Sequence, residues 1–159
     1  MLSPHAIARP RRNPVITKLL LGLSLMGVSV AIHAAGLASA LRHLQQRPPT
    51  SRRFWPVTWH FIGLAAWIIV LHLVQIVAWA ALYRWRDAMP DLPTAFYFSA
   101  VTYTTTGYGD LVLPPEWRLV GGIEALTGIL MCGLSTGFFF AVVSRVFQGP
   151  RALEESTHG

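Results

Sequence analysis

The run Thr102-Tyr103-Thr104-Thr105-Thr106-Gly107-Tyr108-Gly109-Asp110 is where residue type and spacing most plainly imply chemistry. It holds no nucleophile and base pair that would turn over a substrate. What it offers is main-chain oxygen. An alkali cation sheds its water only where other oxygens replace that water at comparable field strength, and a row of backbone carbonyls meets the requirement. For successive carbonyls to point one way, alternate residues must adopt left-handed or otherwise strained dihedrals, which glycine reaches without the steric cost of a side chain. Gly107 and Gly109 alternate as that path demands. Tyr108 between them is free to point away from the row and brace it from behind. The Thr105 hydroxyl adds a further oxygen at the inner end.

Such a row has no place on a soluble surface, and the composition excludes one. Hydrophobic residues make up 53% of the 159 and charged residues 13%, whereas soluble domains run near ~25% charged. The chain is therefore expected in a membrane, as a multi-pass protein. The formal charge of +6 does not argue for nucleic acid, because the arginines gather at the ends of apolar runs, as membrane flanks do. A hydrocarbon core of about 30 Å needs roughly 20 apolar helical residues. Three stretches qualify, near 19–41, 57–83 and 117–147. Trp55 and Trp59 at one end of the second, with Trp79 and Trp85 at the other, read as interfacial belts. The segment 87–116 is too polar and proline-rich to cross. Pro93 suits the first turn of a helix and Asp91 its cap, so a short helix over 93–104 is expected to run directly into the glycine-containing run. Its carbonyl end would present partial negative charge to a cation.

In this order of elements, from about Trp55 to Phe147, the chain resembles the potassium-channel pore family: outer helix, pore helix, filter, inner helix. The resemblance implies an all-α membrane protein with three transmembrane helices, a re-entrant pore helix and filter between the second and third, and a tetrameric channel architecture. It makes Thr105, Thr106, Gly107, Tyr108, Gly109 and Asp110 the selectivity filter, with Thr105, Thr106, Gly107 and Tyr108 holding potassium. Thr106 departs from the usual valine or isoleucine. Since that position contributes its carbonyl, selectivity is expected to survive, with different packing behind the filter. A single loop supplies one oxygen per layer and the family's layers are fourfold, so the resemblance implies a homotetramer with ions on its axis. Potassium is then a permeant ligand, and no cofactor is expected.

Three divisions follow: 1–54 with an extra membrane helix and basic linker, 55–148 as the pore domain, and 149–159 as a short tail. The first span raises a question of sidedness. Arg9, Arg11, Arg12 and Lys18, a leucine-rich stretch and Ala38-Ser39-Ala40 look like a cleavable secretory signal. Cleavage would leave Arg47, Arg52 and Arg53 outside and invert a filter that, in this family, faces outward. The segment is therefore expected to be retained with its N-terminal end outside, or else to lie along the membrane.

The third span is rich in glycine, which costs about 1 kcal/mol against alanine in a helix. Gly128 and Gly133 are candidates for a gating hinge or for close helix packing, and Gly133 with Gly137 also forms a G-x-x-x-G pair. Ile129, Cys132, Thr136 and Phe140 share one helix face, which the resemblance turns toward a water-filled cavity. Phe140 there is either a hydrophobic constriction or a core aromatic. Glu124, the acidic residue within the spans, is a functional candidate by default. It is expected to brace the filter through Thr102 or Tyr103, or by pairing with Arg84, Arg86 or Arg118. Tyr97 and Phe98 are expected to pack against the filter and neighbouring helices. His33, His60 and His72 lie in apolar runs, either sensing protons or bonding to neighbouring helices.

The lone Cys132 allows no intrachain disulfide or cysteine metal cluster. No helix carries arginine at every third position, no phosphate-binding loop or nucleophile motif is present, and the residues given after Phe147 are expected to be too few for a ligand-binding or nucleotide-binding domain. No enzyme is expected. The leading expectation is passive potassium transport across a plasma membrane of bacterial type, by a protein whose partners are its own copies and the lipid bilayer, with no nucleic acid. Alternatives are a weakly selective cation channel, through Thr106, or a nonconducting regulatory subunit on the same scaffold.

Overall fold

The computed structural model describes residues 14–46 and 54–148. Arg9, Arg11, Arg12, Arg47, Arg52, Arg53 and the tail from 149 lie outside the described residues. Four helices account for nearly all of the rest: α1 (Pro14–Gln46), α2 (Phe54–Trp85), α3 (Leu92–Tyr103) and α4 (Arg118–Gln148), with a single 3₁₀ turn at Pro115–Trp117 before the last. Among the described residues there is no strand. Three helices are long and apolar enough to cross a bilayer, over Val15–Gln46, Trp55–Trp85 and Pro115–Arg145.

Local chemistry sets the boundaries. α2 stops in a Schellman motif: Asp87 takes a left-handed φ of 51°, its N–H reaches the Arg84 carbonyl at 3.2 Å, and the Ala88 N–H reaches that of Tyr83 at 2.9 Å. These bonds satisfy carbonyls the helix leaves open. α3 begins where Asp91 accepts the Thr94 N–H at 2.8 Å, with Pro93 in the first turn, as its sequence predicts. That bond holds the exposed Asp91 carboxyl below its ordinary pKa.

α1 runs antiparallel to α2 and parallel to α4. Along the second pair, Lys18 lies 4.0 Å from Glu116, His33 meets Ser135 at 2.9 Å, and Leu37 and Leu44 pack with Phe138, Phe139 and Val142. α1 is thus a full-length partner of the bundle and does not lie apart along a surface. Its end near residue 14 is on the same side as the start of α4. Helices in lipid gain little from hydrophobic burial against one another and depend on close packing and hydrogen bonds. Both are present. A methyl on Gly36 would stand 2.4 Å from a Leu71 methyl, and the Gly36 carbonyl accepts the Trp67 indole N–H at 3.0 Å.

One expectation fails. Trp79 is fully buried in the cluster with Ile76, Ala80, Tyr83 and Phe98, and is no interfacial belt residue. Ile76, Trp79, Ala80 and Tyr83 recur at three- and four-residue spacing on one face, toward α3 and α4. Trp55, Trp59 and Trp85 stay exposed.

Candidate functional site

The run from Thr105 to Gly109 leaves α3 without a helix's regular bonds. Thr104 caps the helix, and the chain is then fastened back to it by Thr105 N–H to the Thr102 carbonyl at 2.9 Å and Gly107 N–H to the Val101 carbonyl at 3.1 Å. Thr105, Gly107 and Gly109 have φ of 59°, 51° and 79°, while Thr106 and Tyr108 between them do not share this sign. Every second residue has therefore switched hand. In an ordinary extended chain successive carbonyls face opposite sides, and changing the hand of alternate residues brings them round together. Glycine takes this shape freely. Thr105 does not: a β-branched residue at such a φ is an outlier, and the cost is of order 1–3 kcal/mol. The fold sustains that strain at the first position of the run.

Side chains fasten the run near both ends, and a further set braces α3 behind it. The Thr104 hydroxyl donates to the Ala100 carbonyl at 2.7 Å, so at 2.9 Å from Thr106 Oγ1 it receives the Thr106 proton. The valine or isoleucine position is here tied by a hydroxyl relay to α3. At the far end, the Tyr97 hydroxyl donates to Asp110 Oδ2 at 2.8 Å. That bond raises the Tyr97 pKa above the ordinary phenolic value. Behind α3, Glu124 is wholly buried. It accepts the Tyr83 hydroxyl at 2.7 Å and the Ser99 hydroxyl.

The expected partners of Glu124 are thus corrected. It reaches α3 through Ser99, not Thr102 or Tyr103, and it pairs with no arginine. Arg84 is with Asp87 at 2.7 Å, Arg118 donates to the Leu113 carbonyl at 3.3 Å, and Arg86 lies over the Trp85 and Trp117 rings. Tyr83 and Ser99 were missed because neither type is unusual in an apolar helix. A signal existed in the need of any buried carboxylate for donors from facing helices. Phe98 is buried, edge-on to Tyr83 at 5.5 Å. Tyr97 is 40% exposed and acts through its hydroxyl, not by packing.

Among the described glycines, Gly128 has the least room for a side chain. A Cβ there would stand 1.8 Å from the Tyr103 carbonyl oxygen, whereas one at Gly133 or Gly137 would meet nothing within 4 Å. α4 is continuous through all three. Ile129, Cys132, Thr136 and Phe140 are together exposed on one face of α4, with Phe140 at 70%, and the Thr136 hydroxyl turns back to donate to the Cys132 carbonyl at 2.9 Å. Tyr108 is 72% exposed, and no described part of the chain covers it. Among the described residues no cluster of three or more His, Cys, Asp and Glu side chains forms a metal site.

An apolar three-span bundle, a capped helix that stops inside it and a backbone of alternating hand define an ion-conduction scaffold. Residues 67–145 match the family model described as "Ion channel", and through this segment the chain belongs to the potassium-channel pore family and is an integral membrane protein. Curated relatives include the potassium voltage-gated channel protein Shal of Drosophila melanogaster, 40% identical over 66 residues, which are 39% of this chain and 11% of that protein. Another is the potassium voltage-gated channel protein shk-1 of Caenorhabditis elegans, 50% identical over 45 residues, 28% of this chain and 8% of that protein. The chain thus spans only about a tenth of the length of these relatives. No solved structure matches it.

Proposed function

We propose that four copies of this chain form a potassium-selective channel in the plasma membrane, conducting passively in single file. The observation that carries the reading is the alternation of hand at Thr105, Gly107 and Gly109, the backbone path that a column of inward carbonyls requires. Thr105, Thr106, Gly107 and Tyr108 supply that column through their carbonyls, with the Thr105 hydroxyl at its inner end. The family membership supports the same reading. Fourfold assembly is supported by what one chain leaves open. Tyr108 and the α4 face of Ile129, Cys132, Thr136 and Phe140 are exposed, as expected of side chains that meet neighbouring copies or a central cavity. Glu124, Tyr97 and Phe98 support the filter from behind, and no covalent step is involved.

Flux from liposomes containing the purified protein tests this. Potassium efflux that exceeds sodium efflux by ~100-fold or more, blocked by barium and lost in Gly107→Ala, is expected, because an alanine at that φ is strained. Comparable fluxes of the two ions would instead favour a weakly selective pore, the reading to which the Thr106 hydroxyl points. Absence of any flux would leave the scaffold as a nonconducting subunit.

A further inference from the structure

Deep between the four helices lies a set of polar side chains that the conduction path does not use. His33 of α1 and Gln75 of α2 are fully buried, Tyr103 of α3 and Ser135 of α4 almost so, and His72 of α2 is half-buried. Gln75 Nε2 is 2.8 Å from His33 Nδ1, His33 Nε2 is 2.9 Å from Ser135 Oγ, and Ser135 Oγ is 3.1 Å from His72 Nε2. His72 Nδ1 lies 3.1 Å from the Tyr103 hydroxyl, which lies 2.9 Å from Gln75 Oε1. The circuit closes.

Its protons are determined by valence. Gln75 Nε2 also donates to the Leu71 carbonyl at 3.2 Å, which fixes the amide orientation, since a carbonyl accepts only. His33 Nδ1, facing that NH₂, must be an unprotonated acceptor. Neutral His33 then carries its hydrogen on Nε2 and donates to Ser135. Ser135 donates its one hydrogen to His72 Nε2, His72 donates from Nδ1 to the Tyr103 oxygen, and Tyr103 donates to Gln75 Oε1. Each ring donor is used in one direction, each acceptor receives, and the two histidines hold opposite tautomers.

An added proton has nowhere neutral to go. On His33 Nδ1 it would face the Gln75 NH₂, two donors head to head. On His72 Nε2 it would face Ser135, whose own hydrogen would need another acceptor. The ring centroids of the two histidines are 5.1 Å apart, close enough for the first positive charge to oppose the second. The other titratable groups facing Tyr103 are Cys132 and Glu124 of α4, and Glu124 is already engaged by Tyr83 and Ser99. No carboxylate within the circuit is available to accept the charge. Tyr103 is also the last residue of α3, and its carbonyl abuts Gly128, so the circuit includes the end of the helix that leads through Thr104 into the filter run.

We propose that His33 and His72 are positioning residues for the filter, closing a proton-sensitive hydrogen-bond ring through which the added helix α1 holds the end of the pore helix. The proposal rests on the channel reading above. Its geometry is tested without conduction. In the full chain in lipid, side-chain nitrogen NMR near pH 8 should show His33 protonated at Nε2 and His72 at Nδ1, and two like tautomers would overturn the ring. In liposomes, potassium flux should fall about tenfold between about pH 8 and pH 4, a window that reaches to the acid side of the ordinary histidine range because the ring resists the added proton, and a fall on the scale of one lost buried hydrogen bond. His33→Gln keeps a donor toward Ser135 without a titratable ring. It should show a weaker acid response and conduct better near pH 8 than His33→Leu. A full acid response in the double variant His33→Gln/His72→Gln, or none in the unsubstituted conducting protein, would overturn the coupling. If the unsubstituted protein passes no potassium at any pH, the channel reading fails, while the tautomers still decide the ring.

Discussion

Gly128 and Gly133 stand five positions apart on one helix and differ completely in what surrounds them. At Gly128 a methyl would collide with backbone, the Tyr103 carbonyl, which cannot move without shifting the end of the pore helix. Overpacking typically costs about 1–3 kcal/mol, and backbone contact places this one at the upper end. At Gly133 a methyl meets open space within the chain, and alanine adds about 1 kcal/mol of helix propensity. Thermal denaturation of the detergent-solubilised protein should therefore show Gly128→Ala strongly destabilised and Gly133→Ala unchanged or more stable. Equal losses in both would contradict the assignment of Gly128 to close packing. Glu124 makes the complementary point. A buried carboxylate with two hydroxyl donors is satisfied only while α2, α3 and α4 keep their present rotation about their axes, so this residue reports on the bundle as well as on the filter.

For the pore helix, the governing residue is its cap. Asp91 lies outside the apolar core, and its carboxylate is held by the Thr94 N–H. Because the folded pKa is depressed, the stabilisation is fully present above the unfolded carboxyl value of about 3.9 and is lost as pH falls through the lower folded value. Asp91→Ala should lower the melting temperature at neutral pH, and the gap from the unsubstituted protein should narrow in acid below about pH 4. A gap independent of pH would mean that the carboxylate's charge is not what caps the helix. This boundary was legible in the sequence because everything that sets it, Asp91, Pro93 and Thr94, is contiguous. The burial of Trp79 was not. α2 is apolar around its whole circumference, so its inward stripe gives no contrast, and only the docking of α3 and α4 decides which face is covered. The partners of Glu124 and the histidine circuit were hidden for a related reason: each joins residues from three or four helices, and depends on helix rotation that spacing along one helix cannot supply.

At the scale of the assembled molecule, the sequence showed the order of the elements and the filter run, since both are local in the chain. What copies of the chain do for one another is carried by faces that one copy leaves bare. Cys132 lies exposed and unpaired on such a face. If that face lines a central cavity, a polar thiol reagent should block potassium flux in the reconstituted protein, and Cys132→Ser should abolish the block. Unchanged flux in the reagent-treated unsubstituted protein would turn this face toward lipid or a neighbouring helix instead.

The parallel alignment of α1 with α4, opposite to α2, gives the described chain an odd number of passes. The start of α1 near Pro14 and the end of α4 near Gln148 therefore face opposite sides of the bundle, while the end of α1 near Gln46 and the start of α2 near Phe54 share the side on which α4 ends. An epitope placed ahead of Pro14 should be labelled on intact cells by an impermeant antibody, whereas one placed between Gln46 and Phe54 should be reached only after the membrane is breached.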